Sequence, residues 1–219
     1  MNDKAIVVFS GGQDSTTCLY WAKDRFKSVT AITFDYGQRH KIEIEQSKKI
    51  AKLAEVDQSI VELSNLSDLT RNALTDSSVE IEEDGELPTT FVAGRNLLFL
   101  TYASIIGYES GAFDIVIGAS EEDYSGYPDC RELFTKSFNK TVDLAMDREF
   151  FVRTPLMHLS KAQTVELAVN LDCLDALALS HTCYEGRRPA CGKCPACRLR
   201  LKGFKEAGIS DPLEYEKST

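Results

Sequence analysis

Residues 10–16, Ser10-Gly11-Gly12-Gln13-Asp14-Ser15-Thr16, set two glycines among three hydroxyls directly after an apolar run. Glycine lets a backbone turn tightly and approach a ligand with no Cβ in the way. A helix opening there would offer free N–H groups and the positive end of its dipole to an anion. Ser10, Ser15 and Thr16 add hydroxyl donors. The stretch Phe9, Ser10, Gly11, Gly12, Gln13, Asp14, Ser15, Thr16, Thr17, Cys18 and Leu19 therefore reads as a segment that binds a nucleotide through its phosphates. A phosphate would repel Asp14, whose expected work is to cap the turn or hold Mg²⁺. A plain strand-to-helix turn is the alternative, because neither G-x-x-x-x-G-K-[ST] nor G-x-G-x-x-G is matched here.

A second constellation lies near the C-terminus: Cys183, Cys191, Cys194 and Cys197, spaced C-x7-C-x2-C-x2-C. Thiolates at this spacing close a tetrahedral S₄ site. Four protein ligands leave no position for water, so a zinc ion there would be structural. An iron–sulfur cluster is the alternative metal group. Cys18, Cys130 and Cys173 stand apart and read as buried hydrophobes or bystanders.

These residues need a frame to hold them. Residues 5–9 form a continuous apolar, β-branched run, the pattern of a strand covered on both faces. Further strands are expected at 28–34, 58–63 and 114–118, and helices at 14–23, 40–55, 95–108 (as a buried helix) and 132–146. Another helix starts at Ser160, where Gln163 completes a capping box. The acidic stretch 76–90 lacks periodicity and reads as a loop. Alternating strands and helices imply an α/β fold, layered, with a mainly parallel sheet and flanking helices. The whole of 1–219 is expected to be one nucleotide-binding domain with a metal-binding segment at 183–197. Such sheets bind ligands beyond the carboxyl ends of their strands, where the glycine loop falls.

A net charge of -9 argues against a general nucleic-acid binder, which needs a cationic surface. The charge is uneven. Arg187, Arg188, Lys193, Arg198, Arg200, Lys202 and Lys205 cluster late, and Glu80, Glu82, Glu83, Asp84 and Glu86 cluster mid-chain. Two solvated faces are one reading; a basic anion-facing edge and a mobile acidic loop are the other. The longest apolar stretch, 97–108, falls short of the ~20 residues that span a bilayer. No secretory leader is visible, so a cytoplasmic protein with reduced cysteines and no membrane partner is expected.

The loop SGGQDS resembles the pyrophosphatase loop of the N-type ATP pyrophosphatases, a class that includes GMP, NAD and asparagine synthetases and tRNA-thiolating enzymes. That resemblance implies an adenine nucleotide alpha hydrolase-like, Rossmann-like fold. It also implies cleavage of ATP between the α and β phosphates, with backbone amides cradling pyrophosphate. Three more stretches narrow the likeness: Thr33-Phe34-Asp35-Tyr36-Gly37-Gln38-Arg39-His40, Thr90-Phe91-Val92-Ala93-Gly94-Arg95-Asn96, and Glu121-Glu122-Asp123-Tyr124-Ser125-Gly126-Tyr127-Pro128-Asp129-Cys130-Arg131. With the four cysteines they resemble the 7-cyano-7-deazaguanine synthase family over nearly the whole chain. Ala93 departs from that family, which commonly has proline before GRN.

The likeness implies a ligase that takes 7-carboxy-7-deazaguanine, ammonia and ATP, with Mg²⁺ accompanying ATP and one structural Zn²⁺. Arg39 and Arg95 become candidates for neutralising phosphate or substrate carboxylate, since guanidinium matches both. Asp14 and Asp123 complete the candidate catalytic set. Glu122, Asp123 and Asp129 are candidates for a guanine-like edge or Mg²⁺, and Tyr36, Tyr124 and Tyr127 for stacking. His40 and His181 are candidates for moving protons, and His158 is left as structural. A homodimer is the default expectation at this size. Two alternatives stay open: a tRNA-thiolating enzyme of the same class, and a zinc-ribbon module whose N-terminal part senses a nucleotide without turnover.

Overall fold

In the first strand, β1 (Lys4–Val8), successive side chains enter two different apolar clusters. Ile6 and Val8 pack into one, while Ala5 and Val7, with the following Phe9, pack into the other. Burial on both faces puts this strand at the centre of a sheet covered by helices on each side. The computed structural model, which describes residues 3–63, 65–82, 86–121 and 126–217, has this architecture.

The remaining strands are β2 (Ser28–Asp35), β3 (Asp57–Glu62), β4 (Asp114–Val116) and β5 (Phe151–Arg153). Among the described residues they form one sheet in the order β3-β2-β1-β4-β5, with every neighbouring pair parallel. Val7 sits in register with Ala31 on one side and Val116 on the other. The helices are α1 (Gln13–Arg25), α2 (Ile42–Leu53), α3 (Leu66–Leu69), α4 (Arg95–Ser110), α5 (Glu132–Met146), α6 (Lys161–Asn170), α7 (Leu174–Leu179) and α8 (Pro195–Glu206). α1, α2 and α7 cover the Ala5/Val7 face; α4 and α5 cover the Ile6/Val8 face. α6 packs on α1 and on α8 through a smaller cluster that includes Val165, Ala168 and Phe204.

The chain builds outward from β1 through β2 to β3, then returns to β4 on the other side. That reversal opens a crevice between the loops leaving β1 and β4, the usual ligand site of such sheets. The expected strands and helices are present within a few residues. The capping box at Ser160 is formed: its Oγ accepts the Gln163 N–H at 3.2 Å, and Gln163 Oε1 accepts the Ser160 N–H at 2.9 Å. The described part of 76–90 is free of helix and strand, and Glu83 and Asp84 lie outside the described residues.

One expectation is corrected. The helix anticipated as buried, α4, buries Phe99, Leu100, Ala103 and Gly107 but leaves Leu97 47%, Ile105 48% and Tyr108 43% exposed. An apolar run carries no mark that separates a core-facing side from a side awaiting a partner. The late basic cluster is likewise not one surface patch. Arg200 is buried, Arg187 pairs with Glu216, and Arg188 donates to the carbonyls of Ala178, Leu179 and Ser180 at the end of α7.

Candidate functional site

The glycine loop leaves β1 and enters α1 at the crevice. Gly11 adopts φ +83°, a left-handed conformation, and a Cβ there would lie 3.0 Å from backbone and side-chain atoms of Ser47 on α2. Across the crevice, a Cβ on Gly118 would lie 3.2 Å from Asp14 and the Ser15 nitrogen. The turn is tied by hydroxyls. Ser15 Oγ accepts the N–H groups of Ser10 and Gly11, each at 3.2 Å, and Ser10 Oγ accepts the Gly12 N–H at 3.3 Å. The α1 N-cap, Gly12, supplies no side-chain cap. The first-turn residues Gln13, Asp14 and Ser15 therefore present the helix N-terminus to the cavity they line.

Asp14 does not cap the helix. Its carboxylate accepts two hydrogen bonds from Lys161 Nζ, at 2.8 and 3.0 Å, and the lysine side chain is only 10% exposed. Lys161, which the sequence reading missed, is the first residue of α6, a position where the helix dipole opposes a cation. That misplaced charge beside a capping box was the available signal. Gln13 is 3% exposed, lines the cavity, and neither its Nε2 nor its Oε1 has a hydrogen-bond partner. A buried carboxamide left unmatched is costly unless a ligand completes it.

The cavity has a volume of about 320 Å³. Phe9, Ser10, Gly12, Gln13, Asp14 and Ser15 form its floor. Thr33, Phe34, Tyr36 and Gln38 come from the end of β2 and the loop beyond it, Arg95, Asn96 and Phe99 from α4, and Tyr127 and Cys130 from the segment before α5. Phe34 and Phe99 stack at 4.1 Å, and Tyr127 hydrogen-bonds Thr90 at 2.5 Å. The Arg95 guanidinium lies 5.9 Å from the Tyr36 ring, and although burial opposes its charge, acidic surroundings that include the Asp129 carboxylate hold its pKa above the ordinary value, so it stays charged. Burial raises the Tyr36 and Tyr184 phenols, which stay neutral.

Not every candidate reaches this wall. Gly11, Thr16, Thr17, Cys18 and Leu19 set the loop and the inner face of α1, with Cys18 and Leu19 in the core. Arg39 points elsewhere: its guanidinium donates to the Ala73 carbonyl at 3.0 Å. Asp129 accepts the Asn96 N–H at 3.2 Å, serving the N-terminus of α4. Glu122, Asp123 and Tyr124 lie outside the described residues. His40 Nε2 meets the Tyr184 carbonyl, and His158 is an exposed partner of Glu132. Buried His181 does line the cavity; its N–H donates to the Gly11 carbonyl at 3.0 Å, and its ring meets the Cys183 carbonyl at 3.0 Å. Burial keeps that imidazole below its ordinary pKa, hence neutral.

The four cysteines come together. Their sulfurs all lie within 4.8 Å of one another, and all four residues are buried. Four thiolates at the usual Zn–S distance of about 2.3 Å would stand about 3.8 Å apart, close to the 4.0 Å between Cys191 and Cys197. Backbone N–H groups of Lys193 and Cys194 point to Cys191 Sγ at 3.4 and 3.3 Å, and that of Cys191 to Cys183 Sγ at 3.5 Å, which favours thiolate. The residues fit one tetrahedral ion; a multi-iron cluster would spread its thiolates further. The C-terminal tail braces the segment, with Ala190 bonded through its backbone to Glu214 and Glu216.

Comparison with known proteins agrees with this geometry. A family model described as queuosine biosynthesis protein QueC matches residues 4–208. The 7-cyano-7-deazaguanine synthase of Chromobacterium violaceum is 53% identical over 218 residues, covering 97% of this chain and 93% of the relative. That of Bacillus subtilis is 54% identical over 207 residues, covering 93% and 94%. A 4-thiouridine synthetase–RNA complex with bound ATP shares the fold with a TM-score of 0.57 at 19% identity, over 94% of this chain and 50% of that one. A match running from the first strand through the metal-binding segment, with more than half identity over nearly the whole length, makes this chain a member of the queuosine biosynthesis protein QueC family.

Proposed function

We propose that the chain converts 7-carboxy-7-deazaguanine, ammonia and ATP into 7-cyano-7-deazaguanine through an adenylated carboxylate and an amide. The observation that carries this reading is the convergence on one cavity of the phosphate loop with Thr33, Phe34, Tyr36 and Gln38, with Arg95 and Asn96, and with Tyr127 and Cys130. Carboxylates and amides are poor electrophiles, and adenylation supplies the leaving group. The carboxylate attacks the α-phosphate and releases pyrophosphate; ammonia then displaces AMP to leave an amide. The amide oxygen attacks the α-phosphate of a second ATP and releases a second pyrophosphate; loss of AMP and of both protons on the amide nitrogen then leaves the nitrile.

The first turn of α1, with Ser10 and Ser15, holds the departing pyrophosphate. Lys161 and Arg95 neutralise charge that develops there, and Asp14 orients Lys161. Mg²⁺ accompanies ATP, with Asp14 as the nearby carboxylate. Arg39 acts at a remove, by holding the Ala73 carbonyl, and Asp123 remains a catalytic candidate from the 121–131 motif. Cys183, Cys191, Cys194 and Cys197 hold one zinc ion, whose contribution is a cross-link and not chemistry. Residues 1–219 act as one ATP-binding domain bearing this segment. Reduced thiols and these substrates suit the cytoplasm, and no described helix is long and apolar enough to cross a membrane. The exposed stripe Leu97, Ile105 and Tyr108 on α4 supports pairing with a second copy, and no nucleic-acid partner is needed.

The test is incubation of the zinc-loaded protein with ATP, Mg²⁺, ammonium and 7-carboxy-7-deazaguanine. AMP, pyrophosphate and nitrile should appear only with the deazaguanine present. Substrate-independent AMP, or no nitrile, would overturn the assignment.

A further inference from the structure

Among the described residues lining the cavity only two are acidic, Asp14 and Glu43. Asp14 is occupied by Lys161. Glu43 accepts no hydrogen bond from any described residue, and the opposite charge it feels is that of Arg95. Asp129 is the carboxylate among the leading influences that raise the Arg95 pKa, and Glu43 is not one of them.

The position of Glu43 follows from α2. It stands one turn before Ser47, on the same helix face, and Ser47 is the residue that presses against Gly11 of the phosphate loop. Its charge also reaches Tyr36, at the end of β2. Glu43 therefore lines the same cavity as the phosphate loop and the aromatic side chains of Tyr36 and Phe99. Flat aromatic walls suit a planar heterocycle, and a carboxylate at the rim of such a slot has two acceptors for a pair of adjacent N–H donors.

We infer that Glu43 reads the donor edge of the heterocycle, its carboxylate accepting the ring N–H and the exocyclic 2-amino N–H side by side. The inference rests on the proposed function, which supplies a substrate carrying that edge. Burial raises the Glu43 carboxyl to about 7, against the pull of Arg95. A charged carboxylate is thus disfavoured there until donors arrive to satisfy it.

The experiment compares 7-carboxy-7-deazaguanine with its analogue lacking the 2-amino group, in the wild type and in Glu43→Gln. Kinetic constants for ATP and thermal unfolding are measured alongside. The wild type should prefer the full substrate by about 10²-fold or more in kcat/KM, as expected where a buried group is left unpaired. In Glu43→Gln that preference should shrink to within about tenfold, through KM for the deazaguanine, with KM for ATP unchanged. Glu43→Asp, which keeps the charge but shortens its reach, should shift the preference the same way and serves if the Gln variant unfolds. A variant that keeps the wild-type preference would overturn the inference. So would an equal loss of kcat on both substrates with a flattened pH–rate profile, which would make Glu43 a proton-transfer group. Absence of turnover by the wild type would remove the proposed function itself; turnover with unchanged preference removes the Glu43 inference alone.

Discussion

Lys161 and Arg95 each occupy the first position of a helix, α6 and α4, where the macrodipole disfavours a cation, and neither helix has an acidic residue in its first turn. On the proposed function, a bound phosphate would offset both unfavourable positions. Replacing Lys161 by Met should therefore lower kcat/KM for AMP formation by about 10²-fold or more, the scale of a lost transition-state contact, as measured by steady-state assay. Glu43 makes a different prediction. Its folded pKa of about 7 lies above the ordinary carboxyl value of 4.5. The folded state thus favours the protonated form, and that stabilisation is lost as pH rises from the unfolded pKa through about 7. Glu43→Gln, neutral throughout, should raise Tm relative to wild type at pH 8 and change it little at pH 5; an equal shift at both would contradict the burial argument. Of these residues, Ser10–Ser15 were legible because paired glycines among hydroxyls directly follow an apolar strand. Lys161 was readable only as a misplaced charge, and Glu43 not at all, because Ile42-Glu43-Ile44-Glu45 looks like an ordinary half-solvated helix.

At the level of elements, the metal-binding segment and the phosphate loop are joined through one residue. His181 bonds Cys183 with its ring and Gly11 with its backbone, so the geometry of 181–183 bears on the loop. Cys194→Ala or prolonged chelation should weaken ATP binding by calorimetry and speed hydrogen exchange in 181–200, while β1 and β2 stay protected. Unchanged nucleotide affinity would separate the two elements. Arg200 is the other anchor: 1% exposed, it makes two 2.8 Å bonds to Asp211 and reaches Ser180 and Leu177. Arg200→Met should cost about 3–5 kcal/mol in denaturant unfolding, the usual penalty for stranding a buried charge. The strands were readable from apolar runs, and α6 from its capping box. β5 escaped notice because it is three residues long and ends in Arg153, whose charge is matched by buried Asp114. α8 hid inside a basic, cysteine-rich stretch in which a charged residue, Arg200, is buried.

The whole molecule carries a charge of -9, yet the N-termini of α1, α4 and α6 converge on the cavity with Lys161 and Arg95. On the proposed function, these helix N-termini and cations would receive the phosphates of ATP within an otherwise acidic chain. The exposed face of α4 is the other molecular-scale feature. Introducing Asp at both Leu97 and Ile105 should leave the fold intact and convert a dimer to a monomer by light scattering; an unchanged mass would assign that face elsewhere. The central claim, that carboxylate and then amide oxygens are adenylated in one cavity, is tested most directly with substrate labelled with ¹⁸O in both carboxylate oxygens. Each nitrile formed should be matched by two AMP, and each AMP should carry one ¹⁸O in its phosphate by mass spectrometry. Unlabelled AMP, with the ¹⁸O recovered in water, would contradict it.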